Sequence, residues 1–351
     1  MLSLEKQAEH LQKVSRTFAL TIPALPNPVD KYVSLSYLLC RTCDTIEDDP
    51  KMTHELRVKE LHNYAKAVRK EIDHIKWTDT IYEELKGTSV PCEVELLKEL
   101  PDVLERLYSY PKPVISIITK CIDIMSDGMA YQQMNDVIAA QSDLDRYCYS
   151  VAGVVGELLA ELFMYHSPVL TKQKDQFLPL AVCLGEGLQM TNIIKDIWED
   201  AERGVSWLPL GLKNDPDNSA EMQNYYSSMP KDKKIELLND QIKIACGHLR
   251  NGVRFTTMIP LREQGIRRFC SWCIAMAFLS LKKVYDNPLF TDSSQSKISR
   301  EQVKSVVRWS SICAYSNFTL NRYFDHISKG LPFVDIDQCE LYARVSKWSN
   351  F

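Results

Sequence analysis

The chain has 351 residues, a formal net charge of −4 and a hydrophobic content of 45%, which are ordinary values for a soluble globular protein. It contains only 12 glycines, which argues against glycine-rich nucleotide loops and against turn-dense β architectures. No tract of lysine or arginine is present, so the electrostatic signature of a nucleic-acid-binding protein is missing.

Helical periodicity dominates the pattern, because apolar residues recur at spacings of three and four over long stretches. Thr53, Ser142 and Ser299 stand at the starts of such stretches as helix caps, and clusters of proline and small polar residues separate them. The predicted helices cover residues 56–75, 114–134, 144–163, 177–199, 233–257, 266–285 and 299–328. The sequence therefore predicts an all-α fold in a single domain over residues 1–351, with a core at about 10–330 and a C-terminal extension at 331–351.

The eleven cysteines include two CxxC pairs, Cys40/Cys43 and Cys270/Cys273. Zinc ribbons place their second pair about 15–20 residues after the first, whereas these pairs lie far apart in apolar helical stretches. We therefore predict that they pack in the core as small hydrophobic residues. An odd cysteine total and the absence of a signal-peptide pattern predict reduced thiols in a cytoplasmic protein. The longest charge-free apolar run, residues 269–281, is too short to span a membrane.

The first segment with chemical potential covers residues 37–49 and is acidic at its end. Asp44, Glu47 and Asp48 occupy positions i, i+3 and i+4, so a helix would project all three from one face. Three carboxylates in that arrangement repel one another unless a cation neutralises them. The segment is a candidate cation site.

A second acidic segment covers residues 189–200. Asn192, Asp196 and Asp200 follow one another at steps of four, and Gln189 lies three residues earlier on the same predicted face. The remaining positions are largely apolar, so the predicted helix is mostly buried and its acidic stripe needs a partner.

Hard carboxylate oxygens suit Mg²⁺, with Mn²⁺ as an alternative, and two such stripes facing each other would hold ions around a diphosphate. Neither stripe has the spacing of a calcium-binding EF-hand loop. The alternative is that each is a solvated helix face, since acidic pairs at this spacing are common. The presence of two such stripes, each flanked by Arg or Asn, favours a functional interpretation.

Four motifs carry a resemblance to a known family. They are Ser15-Arg16-Thr17-Phe18, Tyr37-x3-Arg41-x2-Asp44-Thr-Ile-Glu47-Asp48, Tyr147-x5-Gly153-x2-Gly156 and Gln189-x2-Asn192-x3-Asp196-x3-Asp200. In order and approximate spacing they resemble the squalene/phytoene synthase family, the head-to-head prenyl-diphosphate synthases. The resemblance covers about residues 10–330 and implies an isoprenoid-synthase-type helical bundle with a central cavity.

The resemblance also implies an activity and roles for particular residues. Two farnesyl diphosphates would condense to presqualene diphosphate, and NADPH would then reduce it to squalene. The implied Mg²⁺ ligands are Asp44, Glu47, Asp48, Asn192, Asp196 and Asp200, of which the aspartates also count as catalytic. Tyr147 would act as a proton shuttle, although a core tyrosine is the structural alternative. The implied substrate and diphosphate contacts are Ser15, Arg16, Tyr37, Arg41, Gln189, Asn192, Lys195 and Phe269.

The NADPH step rests on the last third of the chain. Residues 269–279 resemble the segment that lines the second-step pocket of squalene synthase, and Lys297-Ile-Ser-Arg300 resembles a basic turn that contacts NADPH phosphates there. With Arg16, Arg41 and Lys195 these residues complete the implied cofactor contacts, although an ordinary exposed helix start also explains Lys297 and Arg300.

Departures from the family pattern leave the product open. Lys195 stands where Arg is common, Cys273 stands where animal enzymes carry Pro, and residues 201–209 look closer to phytoene-type enzymes. No counterpart of the C-terminal membrane anchor is visible, so we expect a microbial enzyme, soluble or in peripheral contact with a membrane. Dehydrosqualene or phytoene formation without reduction is the nearest alternative. An all-α nucleotide pyrophosphohydrolase and a non-enzymatic helical scaffold are more distant ones.

Overall fold

A computed structural model gives the structure of the chain and describes residues 1–87, 89–214 and 219–349. The predicted all-α class is confirmed, because in these ranges the only β-type pairing is an isolated bridge between Val137 and Lys213. The chain divides into two compact units. The first comprises Met1–Asn135, Glu157–Pro168 and the last residues from Trp348, and the second comprises Asp136–Gly156 and Val169–Lys347. The single domain stays a prediction.

The first unit is built around α3 and α8. Its helices are α1 (Leu4–Val14), α2 (Arg16–Thr21), α3 (Val29–Glu47), α4 (His54–Val68), α5 (His74–Leu85), α6 (Pro91–Lys98), α7 (Leu100–Tyr108) and α8 (Lys112–Met134). Helix α3 packs against α1, α4, α6 and α8, so it lies at the centre of this unit. The structure confirms the helix predicted over 114–134 as α8.

The helix predicted over residues 56–75 is shorter in the structure. It ends at Val68, because Lys70 adopts a left-handed conformation with φ 60° and the amide of Glu71 returns to the carbonyl of Lys66 at 2.9 Å. That hydrogen-bond pattern is the usual helix stop, normally built on glycine. Asp73 then caps the next helix by accepting the amides of Ile75 and Lys76.

The second unit has α11 at its centre. The helices from here to the C-terminus are α9 (Gln141–Cys148), α10 (Val154–His166), α11 (Lys174–Lys195), α12 (Ile197–Glu202), α13 (Ser219–Ser228), α14 (Lys231–Met258), α15 (Gln264–Asp286), α16 (Arg300–Cys313), α17 (Asn317–Ile327) and α18 (Gln338–Val345). Helix α11 packs against α14 and α15, which agree closely with the helices predicted over 233–257 and 266–285.

A π-helical segment, Tyr149–Gly153, joins α9 to α10. The sequence prediction of one helix over 144–163 therefore has the correct extent but misses this local widening. Segments of this kind occur frequently at functional sites. It directly follows α9, which carries Tyr147.

The helix predicted over 299–328 is two helices, α16 and α17, and a buried arginine fixes the turn between them. Arg267 is fully buried and donates hydrogen bonds to the carbonyls of Ala314 (2.7 Å), Thr256 (2.9 Å) and Ile259 (2.7 Å). A fourth bond reaches Oδ1 of Asn317 at 2.7 Å. These acceptors lie at the ends of α14 and α16 and at the start of α17, so one side chain holds three helix termini together.

Replacing Arg267 with methionine should lower the free energy of unfolding by about 3 kcal/mol or more, because buried carbonyls would lose charge-assisted hydrogen bonds. Urea unfolding followed by circular dichroism measures the change. Arg262, whose side chain is 71% exposed, provides the control, and its replacement by methionine should change stability by less than about 0.5 kcal/mol. A similar loss in both variants would contradict this role for Arg267.

Two helical stretches, Gln141–His166 and Pro168–Lys195, have the length and apolar composition of membrane spans. In their most apolar windows 78% and 83% of the residues are buried inside the protein, which is typical of core helices. The cysteines of both CxxC pairs are buried in helices and are free thiols, as predicted.

Candidate active site

The first acidic group, Asp44, Glu47 and Asp48, lies at the C-terminal end of α3. Asp48 caps the helix, and its amide donates to the carbonyl of Asp44 at 2.8 Å, so the helical spacing predicted for the three residues holds. The C-terminal end of a helix is electrically negative and disfavours carboxylates. Three acidic residues at this end therefore create a strong local preference for a cation.

Arg41 connects the first acidic group to a carboxylate that the sequence did not reveal. Its guanidinium lies 3.4 Å from Oδ2 of Asp44 and 3.7 Å from Oε1 of Glu93, and it donates to the hydroxyl of Tyr37 at 3.1 Å. Glu93 belongs to α6, 45 residues after Asp48, and also accepts from Thr45 at 3.3 Å. The buried Nε of Arg41 has no acceptor among the described residues, which suits an anionic ligand.

Burial is the main cause that raises the pKa of Asp44 to about 6. Arg41 opposes the rise, and the carboxylates of Asp48 and Glu93 add to it. Burial lowers the pKa of Arg41, but Asp44, Tyr37 and Glu93 outweigh it and hold that pKa above its usual range. The site is thus a cluster of repelling carboxylates around one permanent cation, and a bound divalent ion would lower the pKa of Asp44.

The SRTF motif is adjacent to this cluster. Ser15 caps α2 by accepting the amide of Phe18 at 3.0 Å, and the ring of Phe18 lies 5.0 Å from that of Tyr37. Arg16, the first residue of α2, is exposed. The structure therefore brings Ser15, Phe18, Tyr37 and Arg41 into one connected set.

The second acidic group, Asp196 and Asp200, lies in the second unit, where α11 gives way to α12. Asp196 ends α11 and is non-helical, which the prediction of a continuous helix over 177–199 missed. Its amide still donates to the carbonyl of Asn192 at 3.0 Å, and the amide of Asp200 donates to the carbonyl of Asp196 at 2.9 Å. The four-residue step from Asn192 through Asp196 to Asp200 is therefore preserved across the break.

Basic side chains surround the second acidic group. Lys195 Nζ lies 2.6 Å from Oδ2 of Asp196, and Arg203 lies 2.6 Å from Oδ1 of Asp200. Oδ1 of Asp196 is buried and has no hydrogen-bond partner in the part of the chain that the structure describes. A buried carboxylate oxygen in this state is suited to a metal ligand.

Lys297, a predicted NADPH contact, lies beside this group. Its ammonium is 2.7 Å from Oε1 of Glu199, and the preceding Ser296 donates to the carbonyl of Lys195 at 2.9 Å. The hydrogen bond to Glu199 is the main cause that raises the pKa of Lys297. Arg300 is the exposed first residue of α16, whose start is already closed by reciprocal bonds between Ser299 and Gln302. Phosphate binding at this helix start would therefore require Lys297 to leave Glu199.

Tyr147 is buried on α9 and stacks on Trp207, with ring centroids 3.9 Å apart and planes inclined by 7°. Trp207 lies in the loop after α12, and sequence spacing could not identify it as the partner of Tyr147. The stack restricts the phenol ring to one plane. Phe269 is buried on α15, whereas Gln189 on α11 is half-buried and Asn192 is exposed.

The residues present fit Mg²⁺ better than a closed metal site. In the described ranges, no three His, Cys, Asp or Glu side chains are grouped so as to hold a metal ion. Mg²⁺ is commonly held by one or two carboxylates, with water and substrate phosphate completing the shell. Asp44 with Asp48, and Asp196 with its free buried oxygen, match that partial donor set. The assignment of the six predicted ligands stays a prediction.

A buried acid–base pair supports α11 just before its functional residues. Glu186 and His248 are both fully buried, with Oε2 and Nε2 3.6 Å apart, and Glu186 has no hydrogen-bond partner among the described residues. Burial raises the pKa of Glu186 well above its ordinary value, with Asp145 adding to the rise. Burial lowers the pKa of His248 to about 4. Burial thus favours the neutral form of both side chains.

Replacing Glu186 with methionine should raise the free energy of unfolding at pH 7.5 by about 1–2 kcal/mol, because the unpaired carboxyl is lost. Because the pKa of Glu186 is raised in the folded chain, its carboxyl costs stability as pH rises above about 4.5, where the unfolded chain begins to ionise it. The advantage of the variant should therefore be smaller at pH 5.0 than at pH 7.5, as urea unfolding can measure. A large loss of stability would instead indicate a charged pair with His248.

Comparison with known proteins decides the family. A family model described as squalene/phytoene synthase matches residues 11–302. The chain belongs to this family. Structures of squalene/phytoene synthase family members share its fold: the protein TcSQS, solved with a ligand, superposes with a TM-score of 0.75 at 22% identity, covering 99% of this chain and 98% of that one. A dehydrosqualene synthase superposes with a TM-score of 0.58 at 18% identity, covering 87% and 94%. The predicted isoprenoid-synthase-type fold is thereby confirmed.

Curated members of the squalene/phytoene synthase family resemble this chain at modest identity. The squalene synthase of Rattus norvegicus is 26% identical over 288 residues, which cover 81% of this chain and 64% of the rat protein. The squalene synthase of Schizosaccharomyces pombe is 27% identical over 365 aligned positions, covering 96% and 73%. The match thus spans slightly less than two thirds of the length of the rat enzyme.

Proposed function

We propose that this squalene/phytoene synthase family member condenses two farnesyl diphosphates head to head to presqualene diphosphate and reduces that product to squalene with NADPH. Family membership supports the prenyltransferase step. The observation that carries the proposal is the same in each unit: carboxylates at the end of a long helix lie beside a basic side chain, Arg41 next to Asp44 and Lys195 next to Asp196. Carboxylates for a divalent cation and a cation for phosphate oxygens are what diphosphate departure requires.

The residues that would hold Mg²⁺ are Asp44, Glu47 and Asp48 in the first acidic group and Asn192, Asp196 and Asp200 around the second. When bound, Mg²⁺ neutralises the charge that develops on the departing diphosphate. In the first unit Arg16 and Arg41 would bind phosphate oxygens, and in the second unit Lys195 would do so. The buried Nε of Arg41, which has no acceptor in the described part of the chain, supplies a donor for this purpose.

Tyr147 is proposed to transfer the proton that is lost when the cyclopropane closes. The allylic C–O bond of one substrate breaks, the double bond of the other forms the new C–C bond, and the leaving proton passes by way of the phenol oxygen to the released diphosphate. Stacking on Trp207 holds the ring in place during this transfer. Tyr147 is buried, which suits a site that must exclude water because the carbocation would otherwise be quenched.

The reductive step is assigned to the second unit. NADPH supplies a hydride when bound, and Phe269 on α15 would offer an aromatic face to the cation. Lys297 and Arg300 are the proposed phosphate contacts, and they fit only if Lys297 exchanges Glu199 for the cofactor. The names of the rat and fission-yeast relatives favour squalene as the product.

The same condensation without reduction, giving dehydrosqualene or a phytoene-type product, is the second candidate. The Lys297–Glu199 ion pair favours it, because it occupies the proposed cofactor contact. Incubation of the purified protein with farnesyl diphosphate and Mg²⁺, with and without NADPH, separates the two. Squalene formed only with NADPH supports the first proposal. A product and rate that do not respond to NADPH contradict it, and no hydrocarbon under either condition contradicts both.

A further inference from the structure

A cluster of large apolar side chains is exposed to solvent at the turn between α16 and α17. We call this cluster the α16–α17 patch, and it consists of Leu261, Trp309, Ile312, Tyr315 and Phe318. These side chains belong to residues that are between 50% and 74% exposed, and Phe318 is the most exposed of them. Single exposed apolar residues are ordinary, but a contiguous group marks an interaction surface.

Sequence spacing and hydrogen bonds place the residues of the patch around one turn. Trp309 and Ile312 are three residues apart on α16 and so lie side by side on one face. The loop that carries Leu261 adjoins the same turn, because Nε2 of Gln264 donates both to the carbonyl of Leu261 (2.5 Å) and to that of Ala314 (3.3 Å).

The patch sits on a rigid support, since the buried Arg267 binds the carbonyl of Ala314 and the side chain of Asn317, on either side of Tyr315. Asn317 also donates to the carbonyl of Thr257 at 3.0 Å. A surface held in this way is already formed before any partner arrives.

Basic side chains accompany the aromatic ones. The guanidinium of Arg308 lies 5.4 Å from the ring centroid of Trp309, and Arg268 donates to the hydroxyl of Tyr315 at 2.7 Å. Residues 300–325 contain four basic and two acidic side chains, although the whole chain has a net charge of −4. The patch is therefore a locally basic region on an acidic protein.

The exposed face of α16 also changes along its length. Near its start it carries Glu301 and Lys304, which pair at 3.0 Å, and near its end it carries Trp309 and Ile312. Polar residues thus give way to apolar ones as the helix approaches the turn. A tryptophan and a tyrosine next to arginines are characteristic of the boundary between lipid headgroups and acyl chains.

We propose that the α16–α17 patch binds the surface of a lipid bilayer that contains anionic lipids. Phe318, Trp309 and Ile312 would enter the outer acyl region, while Arg268 and Arg308 contact the headgroup phosphates. A bilayer accepts outward-pointing side chains without a matching pocket, and its negative charge complements the basic side chains. This inference goes beyond the proposed function and is independent of it, because binding can be measured without substrate.

The test is flotation of the full chain with vesicles of phosphatidylcholine and phosphatidylglycerol in a 7:3 ratio of about 100 nm diameter, compared with pure phosphatidylcholine. The wild type should float with the anionic vesicles and bind neutral ones several-fold less. The double variant Trp309→Gln, Phe318→Gln should bind the anionic vesicles at least about tenfold more weakly, since it loses two apolar contacts. Arg308→Gln should weaken binding about fivefold at low salt, the equivalent of one headgroup charge contact.

The matched control is Ile75→Gln, Tyr165→Gln, which removes two exposed apolar side chains in the first unit. It should float as the wild type does. Equal loss in both double variants, or unchanged flotation of the patch variant, overturns the proposal. A wild-type dimer in sedimentation velocity that the patch variant alone dissociates also overturns it, because the patch would then be an interface between copies. Should the double variant unfold, Phe318→Ser and Arg308→Gln singly decide the same question.

Discussion

Replacement of Asp48 with asparagine is expected to lower kcat/KM for farnesyl diphosphate by about a thousandfold, while the protein stays folded. Asp48 caps α3 with its backbone, and its side chain is exposed at the end of the helix. Loss of one carboxylate from a Mg²⁺ site that stabilises a departing diphosphate removes several kcal/mol, and about 1.4 kcal/mol corresponds to a factor of ten in rate. Steady-state kinetics across a Mg²⁺ titration measure the effect, and the half-saturating Mg²⁺ concentration should rise.

The next residue offers a matched control for the same change of charge. Asp49 is buried, and its Oδ1 accepts the amides of Lys51 and Met52 at 3.0 Å each, so it shapes the turn after α3. Asparagine keeps that acceptor oxygen. Asp49→Asn should therefore change kcat/KM by only a few-fold and leave the Mg²⁺ dependence unaltered. A similar response of the two variants would show that charge near the helix end matters only in general, and it would contradict a metal role for Asp48.

The second acidic group should respond in the same way. Asp196→Asn removes the charge of the carboxylate whose buried Oδ1 has no hydrogen-bond partner among the described residues, and Glu202→Gln removes the charge of a carboxylate exposed on α12. Only the first should shift the Mg²⁺ dependence. Thermal unfolding with added Mg²⁺ and diphosphate provides a readout besides activity, because a ligand that binds only the folded state raises the melting temperature.

Long helices were predictable because their apolar residues follow one period over many turns, as in α8, α14 and α15. Breaks without proline or glycine were not. The chain leaves α11 at Asp196 and turns between Cys313 and Asn317 through residues that are all compatible with a helix. The second break is caused by a long-range contact, because Arg267 donates to the carbonyl of Ala314, 47 residues further along the chain.

The acidic residues themselves could be found from their spacing, but their partners could not. Glu93 reaches Arg41 only because α6 packs against α3, and Trp207 reaches Tyr147 from a loop 60 positions further along the chain. The Lys297–Glu199 ion pair is a similar case. It means that Lys297, predicted as a phosphate contact, already binds a carboxylate. Pairings of this kind depend on tertiary packing, which a single sequence does not encode by spacing.

Replacement of Gly156 with alanine is expected to destabilise the protein by about 3 kcal/mol or more and to abolish activity with it. A Cβ at this position would lie 2.1 Å from the carbonyl oxygen of Ala181 and 2.7 Å from its carbonyl carbon. These are backbone atoms of α11, so no rotamer change can relieve the collision and the two segments must separate. Overpacking of a core costs about 1–3 kcal/mol where side chains can adjust, and more where they cannot.

The reciprocal contact makes the close approach more specific. A Cβ on Gly185 of α11 would lie 2.1 Å from the carbonyl oxygen of Ala152, in the π-helical segment. Gly156 and Gly185 therefore let two backbones touch at neighbouring points, and this contact positions α11, which carries Gln189 and Asp196. The Gly-x2-Gly motif thus has a packing role that places functional residues without touching substrate.

Gly87 provides the control, because a Cβ there would meet nothing within 4 Å. Gly87→Ala should leave stability unchanged or raise it by up to about 1 kcal/mol through a lower entropy of the unfolded chain. Urea unfolding and soluble yield measure both variants. If Gly156→Ala unfolds like the wild type, α11 can move by more than an ångström at no cost. The spacing of Asn192, Asp196 and Asp200 would then not depend on the contact between Gly156 and α11.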